Sequence, residues 1–212
     1  RVACVRIPRF PIGAVWRHVI AGGNGSLGDD SLSTFWDEEP LVLVDGEETV
    51  RAVTAAAARV SIVRGMPLHQ ARARCAALRA LRWDEDAIAA EVRRASVAFL
   101  EASPAVAPSS HTPGVWWIGA GGGVSRDRDE VALAGELLAI ARHWHSSARV
   151  SVADCCVAAY AATWESGSTG GPDRSIRMFH WGSFPWMPSC ARRYRRWASS
   201  GLVNWQLCRL AK

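Results

Sequence analysis

The apolar positions of this chain fall into short continuous runs alternating with helical stripes. Residues 2–7 are almost continuously apolar, the pattern of a strand buried on both faces, and residues 10–20 follow as a short helix. Residues 21–30 are rich in Gly, Ser and Asp with no packing pattern, which predicts a loop. Apolar runs at 41–44 and 50–54 flank Asp45-Gly46 and predict a hairpin. Gly65 supplies a turn, Pro67 takes a first helical position that tolerates a missing N–H, and Leu68, Ala71 and Cys75 recur at helical spacing. A helix starting at Asp84 carries Ile88, Val92, Ala95 and Phe99 on one face and stops ahead of Ser103-Pro104. Beyond a strand at 115–118, Leu133, Leu137, Ile140 and Trp144 form the stripe of a second amphipathic helix over 129–145. Residues 149–153 predict a strand feeding a small-residue helix at 154–164, then a linker at 165–173 and a small helical tail at 174–212. Strands and helices alternating within one body predict an α+β (α/β sandwich) fold, a sheet with helices on one face.

With 212 residues, 49% of them hydrophobic and 21% charged, the chain can hold one sizeable core or a core plus a small satellite. No apolar run reaches the length of a membrane span, so no membrane partner is expected. The N-terminal run is broken by Arg6, Pro8 and Arg9 and reads as a strand, not a signal peptide; a cytoplasmic, nucleoid-associated location is the default expectation. The formal charge of +5 calls for an acidic partner, and its distribution sharpens the point. After residue 172 the chain carries Arg174, Arg177, Arg192, Arg193, Arg195, Arg196, Arg209 and Lys212 against the single acid Asp173. Arg192, Arg193, Arg195 and Arg196, interleaved with Tyr194 and Trp197 and followed by Trp205, suit phosphate gripping and base stacking; a solvated helix face over core tryptophans is the competing reading.

No motif calls for a cofactor. The six cysteines include no CxxC pair and read as buried free thiols. His143 and His145, two apart in a helix-period segment, point away from each other and do not suggest a shared metal. The glycines at 119–123 lack the lysine of a phosphate loop and read as a flexible turn.

Two segments carry a resemblance: PLVLVDG at 40–46 and VRGMPLHQARARC at 63–75. Together they resemble the fingers of Y-family translesion DNA polymerases (the UmuC/DinB type), where a strand ending in Asp-Gly precedes a segment of the form ARxxGVRxGMPLxxAxxxCPxL. The resemblance extends over most of the chain. It implies a palm from residues 1–40 and 82–164, a small fingers region at 41–81, and a partial helix-hairpin-helix thumb at 174–212 after the linker. The tail arginines would then track a DNA backbone, although the family's hairpin glycines fall on Pro188 and Cys190. The little finger would lie beyond residue 212.

Phosphoryl transfer in that family requires an Asp on the first strand and an adjacent Asp-Glu pair to hold two metal ions. Those positions fall here on Arg6, Pro113 and Gly114, and no acid occurs between Glu101 and Asp127. The triphosphate-binding Tyr and Arg fall on Ala55 and Ala58, or on Ala56 and Arg59 with a one-residue gap, and the palm lysine falls on Tyr160. The pattern resembles the ImuB-type branch, bacterial Y-family-like proteins without catalytic carboxylates. That resemblance implies a non-catalytic DNA-repair adaptor in SOS-type damage-induced mutagenesis. Its partners would be DNA, an error-prone replicative-type polymerase, a RecA-like accessory protein and the sliding clamp. Two alternatives stand beside it: an active nucleotidyltransferase with displaced acids such as Asp45, Asp84 or Glu101, and a truncated remnant with residual DNA affinity.

Overall fold

A computed structural model of the chain describes residues 1–22, 35–120, 130–164 and 176–178. The expected loop at 21–30 lies mostly outside these residues. The linker at 165–173 and nearly all of the tail, with Arg192, Arg193, Arg195, Arg196, Cys190 and Cys208, lie wholly outside them. The chain divides into two units. One comprises Arg1–Arg6, Phe99–Leu138 and Arg149–Lys212, the other Ile7–Ala98 and Ala139–Ala148.

The first unit is built on a five-stranded sheet. Its strands are β1 (Val2–Arg6), β5 (Val106–Pro108), β6 (Val115–Gly119), β7 (Arg149–Ala153) and β8 (Ile176–Met178), in the order β5-β6-β1-β7-β8. Strand β1 lies at the centre of the sheet, antiparallel to both neighbours, and Ala3, Cys4 and Val5 are buried on its two faces, which accounts for its near-continuous apolar sequence. The register sorts the side chains. Ala3 and Val5 share a face with Ile118, Trp116, Val152 and Val150, all fully buried. The helix α5 (Glu85–Ala102) lays Phe99 on this face, its ring 5.3 Å from that of Trp116. The opposite face carries Cys4, Val115 and Ala153, packed by Ala159 of the short helix α7 (Cys156–Ala162). Burial pushes the Cys4 thiol pKa far up, with Cys156 nearby adding to the effect, so Cys4 is an inert core thiol. Gly119 lets β6 lie close beside Ala105, just ahead of its antiparallel partner β5; a Cβ there would come within 2.9 Å of the Ala105 methyl.

The second unit holds a three-stranded sheet, β3 (Val50–Val53), β2 (Leu41–Val44) and β4 (Arg79–Arg82), in that order. The hairpin expected at Asp45-Gly46 is present, with β4 joined parallel to β2. Two short helices, α3 (Ala55–Arg59) and α4 (Leu68–Arg74), cover one face through Val42, Val44, Ala57, Ile62, Leu68 and Ala71. Thr54 is the hub: its Oγ1 accepts from the Ala57 and Leu41 amides and donates to the Glu39 carbonyl at 2.8 Å. Pro67 is not the first residue of α4 but its N-cap, because the residues before it are paired into the sheet, with Leu68 N–H bonded to the Glu48 carbonyl. Helix α1 (Phe10–Gly22) and a single turn α2 (Phe35–Glu38) also belong to this unit, with Trp36 buried, as do residues 85–98 of α5.

The helix α6 (Glu130–Arg142) is shorter than its apolar stripe predicts. His143 and His145 fall in the turn after it, so helical spacing is not what separates them. His145 is buried; its Nδ1 accepts from the Ser147 amide, and its Nε2 faces Asp37 Oδ2 at 3.4 Å. Burial by itself would raise the Asp37 carboxyl pKa. The His145 contact, the Ala55 amide at 2.8 Å and the Arg9 guanidinium at 3.0 Å outweigh it and hold the group below the usual carboxylate range. A depressed folded-state pKa contributes stability above the unfolded value, and that stability is lost as pH falls through the folded one. Asp37→Asn should therefore be less stable at neutral pH and lose less on acidification, and urea melts across the acid range will read the difference. Parallel acid limbs for the two proteins would refute the assignment.

Candidate functional site

The positions that the sequence marks for metal chemistry do meet in space. Arg6 lies directly across from Val115 on one side and Arg149 on the other, at one end of the large sheet. Pro113 and Gly114 immediately precede Val115 in the turn between β5 and β6, with Gly114 at φ +97°. The face that carries Arg6 is the one α7 only partly covers: Arg6, Trp117 and Arg149 are each half-buried.

What gathers there is cationic. Arg6 donates from Nε to Thr163 Oγ1 at 3.1 Å and from Nη2 to the Thr163 carbonyl at 2.7 Å. Arg149 Nη1 donates to the same carbonyl at 3.3 Å. Thr163 is the C-cap of α7, where carbonyls lack intrahelical partners and the helix end is electronegative, so two guanidiniums are held where positive charge is favoured. The Arg6 guanidinium also lies 4.0 Å over the Trp164 ring, and Trp164, Tyr160 and Trp117 follow one another as edge-on or tilted pairs about 6 Å apart.

The metal ions implied by the resemblance do not fit these residues. A divalent magnesium or manganese ion takes oxygen ligands, chiefly carboxylates, and the two guanidiniums would repel it. Of the acids described in this unit, Glu130 and Asp154 are ion-paired with Arg1, the latter at 3.1 Å, and Glu101 on α5 and Glu136 on α6 stand exposed. Among the described residues no cluster of three His, Cys, Asp or Glu side chains could hold a metal ion.

The remaining marked residues are spread out. Ala55, Ala56, Ala58 and Arg59 form α3, where Arg59 is exposed and its Nε reaches back to the Ala55 carbonyl at 3.4 Å. Tyr160 is part of the aromatic row. The displaced acids have local duties: Asp45 Oδ1 accepts from the Glu47 and Thr49 amides, and Asp84 Oδ1 caps α5 by accepting from the Ala87 amide. Sequence pattern alone does not single out Arg149, Thr163 and Trp164. Arg149 opening an otherwise apolar strand is the available signal, since a charged residue there must find a partner.

No protein-family model matches the chain, and no curated protein matches it. Solved structures do. The chain is similar to the Dbh ternary complex with a TM-score of 0.59 at 10% identity, over 85% of this chain and 48% of that one. It is similar to DinB from Sulfolobus solfataricus with a TM-score of 0.55 at 12% identity, over 84% and 48% of the two chains. A Y-family DNA polymerase chimera, Dbh-Dpo4(243-245)-Dbh, gives 0.53 at 12% identity, again over 84% and 48%. The chain thus spans about half the length of the structures it matches. Identity this low speaks of architecture alone, and the architecture is the α+β, palm-like fold of the Y-family DNA polymerases.

Proposed function

We propose that this protein is a non-catalytic, Y-family polymerase-like DNA-repair protein, an adaptor in damage-induced translesion synthesis of the ImuB type. The observation that carries the reading is the pair Arg6 and Arg149 clasping the Thr163 carbonyl at the end of the sheet where a polymerase needs carboxylates. A cationic cluster there abandons metal-assisted phosphoryl transfer but keeps a surface compatible with phosphates. In this reading residues 1–40 and 82–164 serve as palm, 41–81 as fingers and 174–212 as part of a thumb. DNA is bound through its backbone without sequence preference, as the net charge of +5 favours. The protein partners are those of a mutagenesis assembly in the cytoplasm: an error-prone replicative-type polymerase, a RecA-like accessory protein and the sliding clamp.

Isothermal titration of the protein with a deoxynucleoside triphosphate and magnesium separates this from an active nucleotidyltransferase. No saturable heat is expected. Saturable, magnesium-dependent binding abolished by replacing Asp45, Asp84 or Glu101 would overturn the proposal in favour of the enzyme.

A further inference from the structure

The side chains around the Arg6–Arg149 clasp have the make-up of a protein interface more than of solvated surface. Arg6, Trp117, Arg149 and Tyr160 are each half-buried, and Trp164 stands 57% exposed, on the face of the large sheet that α7 covers only in part. Trp, Tyr and Arg are the residues that most often anchor one protein on another, because each offers a large contact area with a polar handle. Side by side they form an apolar patch with positive charge at its edge, which a partner would take out of water.

The cluster is held in place by its own bonds. The Thr163 amide donates to the Tyr160 carbonyl and the Trp164 amide to the Ala161 carbonyl, both at 3.0 Å, so Trp164 continues the last turn of α7. The Arg6 guanidinium lies against one side of the Trp164 ring, 4.0 Å from its centroid, and is itself fixed by Thr163. Thr163 presents neutral oxygens, which orient both guanidiniums without cancelling their charge. Anchors ordered in advance lose little entropy on docking.

Charge and shape select the occupant. Two guanidiniums converge on one oxygen, the Thr163 carbonyl, at 2.7 and 3.3 Å, and so concentrate positive charge at one point. The planar fork of a guanidinium matches a carboxylate through paired N–H bonds. The rings beside them meet at 55° and 78°, and Arg6 takes one side of Trp164, so the row offers no run of open ring faces. A single nucleic-acid strand calls for such a run and for cations spread along its backbone. One acidic side chain beside one apolar side chain fits better. We infer that this face docks an extended segment of a partner protein, with an Asp or Glu carboxylate on Arg6 and Arg149 and a neighbouring Leu or Phe against Trp164. This rests on the proposal that the protein is a non-catalytic adaptor, because a segment seated there takes the place that metal-assisted catalysis would need.

The test is anisotropy of labelled peptides in which Glu alternates with Leu and Phe, titrated with the full chain beside matched peptides that carry Gln for Glu. The acidic set should bind saturably and the Gln set about tenfold more weakly. Trp164→Ala should weaken both sets alike by about tenfold or more, the loss typical of an interface anchor, while Trp164→Phe, which keeps a ring, should retain most of the affinity. Arg149→Gln should weaken the acidic set alone and narrow the gap between the two. Thermal melts will show that the fold of each variant is intact. Absence of acidic-peptide binding, or binding that Trp164→Ala and Arg149→Gln both leave unchanged, overturns the inference. In that event the functional proposal still stands if the same preparation shifts a primer-template without extending it; extension would remove both. An oligothymidylate that displaces the acidic peptide and loses the same affinity in both variants would assign the face to nucleic acid. Peptide binding that appears only after Glu165→Gln with Asp173→Asn would assign it to the chain's own linker. Either result overturns the inference.

Discussion

Replacing Glu91 by alanine should cost the protein about 3–5 kcal/mol of unfolding free energy, the loss typical when one member of a buried charged cluster is removed. Glu91 lies on α5 with its side chain only 12% exposed. Its Oε1 accepts from Arg17 Nη1 of α1 at 2.9 Å, from Arg94 Nη2 one turn along at 2.8 Å, and from the indole Nε1 of Trp144, beyond α6, at 2.6 Å. One oxygen thus ties three segments that are far apart in sequence. Alanine would remove the acceptor of the Trp144 indole N–H and strip the carboxylate from the Arg17 guanidinium, itself only 14% exposed, which keeps its bonds to the His143 and Trp144 carbonyls. Glu91→Gln keeps the shape and an acceptor, so its loss should be about 1.5–3 kcal/mol, the range for hydrogen bonds to a charged group. Urea unfolding of the three proteins measures both. A loss below about 1 kcal/mol for the alanine variant would mean that the cluster is solvated in solution and contributes no more than a surface ion pair.

The second large effect concerns affinity. If Arg192, Arg193, Arg195 and Arg196 each neutralise one phosphate, replacing all four by alanine flattens the salt slope by up to about 3.6 units. Between 50 and 200 mM salt that amounts to a difference of about a hundredfold in how far affinity falls, and it should be the same on every sequence tested. Phosphate contacts position a protein on the duplex but read no bases, so a sequence-dependent loss would contradict the backbone-tracking role. An unchanged slope would make the four arginines a solvated helix face.

The central parts of the fold were legible because periodicity is strong where burial is two-sided. Strand β1 and the buried positions Ile88, Ala95, Phe99, Leu133 and Leu137 follow directly from the apolar pattern. Asp84 as the start of α5 and Ser103-Pro104 as its end follow from local hydrogen-bond chemistry. Strand β4, RALR, was invisible because its residues have little strand propensity and its existence depends on parallel pairing with β2, some forty residues earlier. Helix α3 was missed for its brevity, although Thr54 before four alanines is a fair N-cap signal. Strand β5, only Val106–Pro108, pairs on the sheet's edge, where a proline is tolerated. At the site, the absence of an acidic side chain at Arg6, Pro113 and Gly114 could be read from residue identities. The clasp on Thr163 could not, because its partners lie 157 residues apart and only the sheet register brings them together.

The central claim is the proposal that a polymerase-like body with Arg6, Pro113 and Gly114 where the resemblance places metal ligands binds DNA and does not extend it. Primer extension on a primed template with all four deoxynucleoside triphosphates, with magnesium and separately with manganese, tests it most directly when the same preparation is shown to shift the primer-template. The account predicts a shifted complex and no extended product with either metal. Template-dependent incorporation that copurifies with the protein and disappears on replacing Asp45, Asp84 or Glu101 would contradict it.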